Sequence, residues 1–128
     1  MRTLAAASFL LLLVVSGACA QERWVRLTHA EDELIEVDQR SIQREGVEVR
    51  AQIRSSLAPN LQQRQWLRIH CDSATMQTLR STILDTETGR ESADTSDAAR
   101  RTQLQEPYRY PAGSRGAQIV TQLCKRSQ

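Results

Sequence analysis

The sequence predicts an α+β fold: one antiparallel β-sheet of about five to six strands, with one C-terminal α-helix tethered by a disulfide. Three observations predict it. Val47, Val49, Ala51, Ile53 and Ser55 alternate with Glu48, Arg50, Gln52 and Arg54, the period-2 pattern of a half-buried strand. Ala117, Ile119, Val120, Leu123 and Cys124 fall at helical spacing and make one apolar stripe. Short connections between the strand candidates favour antiparallel pairing.

The chain opens with Met-Arg-Thr, an apolar run from Leu4 to Val15, and the small-residue end Ser16-Gly17-Ala18-Cys19-Ala20. That order reads as a secretory leader over residues 1–20. The run is shorter than the roughly 20 residues a bilayer span needs, so no transmembrane span is expected in the mature form. Ala18 and Ala20 fit an A-x-A cleavage site that leaves Gln21 first. A lipid anchor on Cys19 is the alternative; Gly17 and Ala18 suit it, and Ser16 stands where Leu is usual. The remaining 21–128 reads as a single domain, since 128 residues are too few for two.

Residues 23–29 and 33–37 are short strand candidates around the polar turn Ala30-Glu31-Asp32. Asp38 is placed to cap a single helical turn through Ile42, and Gly46 then punctuates the chain. The alternating strand covers 47–55, its charged side toward water. Ser56 to Gln63, with Pro59-Asn60, reads as a loop. In the next strand Gln65, Leu67, Ile69 and Cys71 point inward, while Trp66, Arg68 and His70 point outward. Residues 75–84, rich in β-branched and apolar side chains, make a longer strand. Asp85 to Gly89 forms a turn. A short edge strand near 90–94 and a mobile polar loop to 106 follow. After the extended Pro107-Tyr108-Arg109-Tyr110-Pro111, Ser114 is the N-cap of a helix of about three turns.

Composition bounds the function. Net charge is +2, too balanced for a dedicated nucleic-acid binder. Large aliphatic residues are sparse after the leader, so the core is thin, and small exported domains of that kind need a covalent staple. Cys71 and Cys124 are the two cysteines left after cleavage, and an even count in an exported chain implies a disulfide. Closing that loop is worth roughly 4 kcal/mol of chain entropy. With His29 and His70, these cysteines match no zinc spacing.

No motif with a catalytic mechanism appears: no Gly-rich phosphate loop, no H-E-x-x-H and no G-x-S-x-G. Neither a cofactor nor a metal is expected, and Glu31-Asp32-Glu33 reads as a solvated turn. The candidate binding face is Arg50 and Arg54, joined by Trp66 and Arg68 if the two strands pair; Arg, Trp and Tyr are the residues most enriched at binding hot spots. Three function classes follow. A non-catalytic binding module would show a groove lined by Trp24, Trp66, Tyr108 and Tyr110. A small periplasmic inhibitor or accessory subunit of an envelope enzyme would show a protruding loop at 55–64 or 95–106. A hydrolase would hold His29 or His70 against a carboxylate in a cleft.

The chain resembles the surface-adhesin protein E-like family of small exported bacterial proteins. The resemblance runs through Trp24-Val25, Asp38, Ser41-Ile42 and Gly46, the strand ending in Cys71, and Asp85 to Gly89. It closes with Tyr108-Arg109-Tyr110-Pro111-Ala112-Gly113-Ser114 and Cys124, spanning about 23–124. The chain departs from the family where Ala51 or Gln52 replaces a tryptophan and Tyr108 another. The resemblance implies an antiparallel sheet with a C-terminal helix joined by the Cys71–Cys124 disulfide. It also implies a location in the periplasm or outer envelope of a Gram-negative bacterium, and an unidentified protein partner from the envelope or a host matrix.

Overall fold

The computed structural model describes residues 22–28, 34–104 and 106–128. The expected leader with Ala18, Cys19 and Ala20, the start at Gln21, and the turn carrying His29 and Glu31-Asp32-Glu33 lie outside the described residues. Seven strands form one sheet: β1 (Trp24–Arg26), β2 (Ile35–Asp38), β3 (Gln43–Glu45), β4 (Glu48–Ala58), β5 (Leu61–His70), β6 (Thr75–Asp85) and β7 (Glu91–Ala93). Two helices follow, α1 (Asp97–Leu104) and α2 (Arg115–Arg126). Every pairing is antiparallel, in the order β1-β2-β4-β5-β6-β7, with β3 also beside β4.

β2 and β3 occupy the same edge of β4, against Ile53–Ser55 and Glu48–Arg50 respectively. The 3-10 turn Gln39–Ser41 separates them, capped as expected by Asp38, whose Oδ1 accepts from Arg40 N (3.1 Å) and from Arg23 N (3.0 Å). This break would leave the Gln52 amide without a ladder partner. The Ser41 hydroxyl repairs it, accepting from Gln52 N at 2.8 Å while donating to Asp38 O at 2.6 Å. β3 is exposed throughout and so carries no apolar pattern. It accounts for the seventh strand, beyond the five to six expected.

Two expectations need correcting. Ser56 to Gln63 is not a loop: β4 runs on to Ala58, β5 begins at Leu61, and Pro59-Asn60 is a two-residue turn between them. Backbone pairing outlasts the hydrophobic alternation, with a bulge at Leu57 between Ser56 and Ala58. The segment after β7 is not all loop either. Ser96 caps α1, its hydroxyl accepting from Ala99 N at 3.1 Å, and Ala99 is buried.

One face of the sheet is the core. Leu27, Ile35, Val37, Val49, Ala51, Ile53, Leu67, Ile69 and Met76 pack with Ile119, Val120 and Leu123 of α2. Each large aliphatic contributes about 1.5–3 kcal/mol by leaving water. Ser114 caps α2 as expected, accepting from Ala117 N at 3.3 Å. The Cys71–Cys124 disulfide joins helix to sheet, with Cα atoms 5.8 Å apart. Cys71 sits one residue past β5 in the turn that follows, held by its amide donating to Val47 O. Arg44 supports the same helix end, its Nη1 donating to Cys124 O and Ser127 Oγ.

The core face turns polar toward the β4–β5 turn. There Asp94 accepts from Gln63 Nε2 and Ser81 Oγ, tying the β7–α1 connection across two strands. Burial pushes the Asp94 carboxyl up. Hydrogen bonds from the Ser96 amide and hydroxyl, Gln63 and Ser81 outweigh that push and hold it below the ordinary carboxylate value.

Candidate functional site

The opposite face is where the predicted binding residues converge. Strands β4 and β5 do pair, and their register sets Arg50 opposite Arg68, Gln52 opposite Trp66, and Arg54 opposite Arg64. β6 adds Arg80 opposite Trp66 and Gln77 opposite Arg68. Period-2 geometry therefore puts Arg50, Arg54, Trp66 and Arg68 on one surface, as expected. It also recruits two arginines that sequence reasoning missed. Arg64 fell at the border of the supposed loop, although its spacing of two from Trp66 marks the same face. Arg80 was hidden by the register shift between Trp66 and Leu67.

Like charges directly opposite on a sheet are destabilising, and this face carries two such pairs. Carboxylates offset them. Glu48 lies 3.6 Å from Arg50 Nε and 3.5 Å from Arg68 Nε. Glu36 accepts from Arg54 Nε at 3.1 Å, and Glu22 lies 3.5 Å from Arg64 Nη1. The tryptophans fix the guanidiniums: Arg54 stacks 4.2 Å and Arg64 5.5 Å from the Trp24 ring centre, and Arg80 4.9 Å from that of Trp66. Arg68 Nη2 donates to Gln77 Oε1 at 2.8 Å. The face is denser than the alternation implied. Gln52, expected toward water, is only 8% exposed, and the Arg64 side chain 14%.

The four aromatics do not share a groove. Trp24 and Trp66 belong to the arginine face, whereas Tyr110 packs against the core cluster. Tyr108 joins the start of β6 through a bridge to Met76 and meets Tyr110 edge-on at 4.9 Å. The Tyr110 ring lies directly over Gly116 of α2, where any Cβ would collide with it. Burial, with Tyr108 adding to it, raises the Tyr110 hydroxyl above the ordinary tyrosine value. Beside it opens a cleft of about 490 Å³, lined by Leu27, Ala74, Arg109, Tyr110, Ala117 and Val120 among others.

His70 stands on the arginine face opposite Glu48, as its outward orientation predicts. That carboxylate already serves Arg50 and Arg68. Among the described residues, no group of three or more His, Cys, Asp or Glu could hold a metal ion, and no helix is long and apolar enough to cross a membrane. Comparison of the chain with protein-family models, curated proteins and solved structures finds no match.

Proposed function

We propose that this chain is an exported, non-catalytic binding module of the bacterial envelope that takes up a protein partner on its arginine face. The carrying observation is the direct opposition of Arg50 to Arg68 and of Arg54 to Arg64. A sheet selected only for stability gains nothing from two like-charge pairs that need Glu22, Glu36 and Glu48 to offset them. A surface selected to meet an oppositely charged partner does. The disulfide supports an oxidising compartment. The resemblance to the surface-adhesin protein E-like family supports an envelope or host-matrix protein as the partner.

The inhibitor reading loses its support, since a two-residue turn and a helix stand where protruding loops were expected. The test is capture of purified envelope and matrix proteins on an immobilised surface. Replacing Arg50, Arg54 and Arg68 together by Ser is expected to weaken capture at least tenfold. Stability should fall by only about 1 kcal/mol, because exposed ion pairs contribute about 0–1 kcal/mol each. Unchanged capture by the folded triple variant overturns this face as the site. A turnover abolished by His70→Ala overturns the non-catalytic reading.

A further inference from the structure

The arginine face holds more detail than a positive patch, and its detail points to the chemistry of the partner. It rests on the binding face proposed above and asks what that face grips. Apart from His70, its basic groups are all arginine, whose planar fork matches a carboxylate bidentately. They form two clamps, Arg50 with Arg68 and Arg54 with Arg64, each a cross-strand pair. The clamps stand four residues apart on both β4 and β5, which is about 13 Å along a strand. Between them lies the row of Gln52, Trp66 and Arg80.

Three observations say that arginine donors of this face remain unsatisfied. Arg64 Nε and Arg68 Nε, one from each clamp, are shielded from solvent and lack a hydrogen-bond partner. Such donors are costly to leave unmade, and a carboxylate that draws the head group outward relieves them. Glu48 meets both arginines of its clamp at ion-pair range without a hydrogen bond to either. Arg80 stacks on Trp66 and has no carboxylate partner among the described residues. The stacking also decides between anionic partners. Trp24 and Trp66 have guanidiniums over their rings, so those ring faces are not open to stack on sugars or nucleobases. Arginines held that way are instead pre-set for planar oxoanions.

We infer that the face binds an extended acidic segment of a protein, with carboxylate side chains at positions i and i+4 seated in the two clamps. In an extended peptide, i and i+4 point to the same side about 13 Å apart, the separation of the clamps. Residue i+2 then lies over the Trp66 and Arg80 row.

The chain's only two tryptophans, Trp24 and Trp66, both lie on this face, so their emission reads occupancy. The disulfide-bonded protein is titrated with a synthetic Thr/Val peptide carrying glutamates at i and i+4, and with one carrying them at i and i+3. The first is expected to give a saturable emission change, and the second, with its carboxylates on opposite sides, at least tenfold weaker binding. Arg64→Gln with Arg68→Gln is expected to lose at least tenfold. If that pair does not fold, Arg50→Gln, whose side chain is 52% exposed, is expected to lose about fivefold, in line with the roughly 1 kcal/mol of an exposed charge. Equal binding of the two peptides, unchanged binding by a folded variant, or tighter binding of heparin or single-stranded DNA than of the i/i+4 peptide overturns the inference. Loss of the spacing preference, with protein capture still dependent on Arg50 and Arg68, overturns the acidic-segment inference and leaves the binding face standing.

Discussion

The two faces of this sheet are built from the same strands by the same alternation, yet they are held in different ways. The core face is aliphatic and covered by α2, and its order comes from burial and one covalent bond. Among the described residues no element covers the arginine face; its order comes from guanidiniums stacked on two tryptophans and offset by three glutamates. Burial is worth kilocalories per residue, whereas each exposed ion pair is worth about 1 kcal/mol or less. Stability therefore resides on one face, which leaves the other free for the recognition proposed above.

The contrast can be broken most forcefully at the disulfide. Replacing Cys71 and Cys124 by Ser is expected to cost about 4 kcal/mol in denaturant unfolding, within the range for small secreted domains. A cost below about 1 kcal/mol would mean that packing alone holds α2. Gly116→Ala comes next. Its Cβ would collide with the Tyr110 ring, so α2 must lift or the ring must swing out. Overpacking of this kind costs about 1–3 kcal/mol, readable as a lower melting temperature. The smallest effect belongs to Asp94, which holds the polar end of the core face by hydrogen bonds rather than burial. Its folded pKa lies below the ordinary carboxylate value. Its contribution is therefore complete above that range and is lost as pH falls through the folded value. Asp94→Asn should lower stability modestly in the neutral region, flatten the acid limb of the stability–pH curve and leave stability at low pH nearly unchanged.

Much of the core face was legible in the sequence. Alternation marked β4 and the middle of β5, the Asp38 and Ser114 caps sat where their chemistry requires, and the two cysteines fell on elements that can meet. What escaped was structure without an apolar signature. β3 is paired only through its backbone. The arms around Pro59-Asn60 continue on backbone hydrogen bonds after the hydrophobic alternation ends. α1 buries Ala99 and carries a net polar sequence, and its signal was local: the Ser96 cap followed by Asp97-Ala98-Ala99-Arg100-Arg101, mostly good helix formers. The site was half legible for the same reason. Arg50, Arg54, Trp66 and Arg68 follow from alternation once the strands pair, and Arg64 follows once β5 is extended to Leu61, whereas Arg80 needs the actual register. The stacking on Trp24 needs β1, which lies two strands away from β4 in the sheet.

The order in which the disulfide's two halves are made gives the bond a meaning in time. Cys71 and Cys124 are separated by 53 positions. At about 5–20 residues per second of synthesis, several seconds pass between one thiol and the other. By then β4, β5 and β6 are all present, and each pairs with its neighbour in sequence. The sheet can therefore assemble from local hairpins while Cys71 still waits. The bond closes only on a copy that reaches Cys124, so a chain cut short anywhere before it lacks the partner that Cys71 has in the fold. A free thiol at Cys71 is in that sense a mark of incompleteness, written in the turn between two central strands that are otherwise finished.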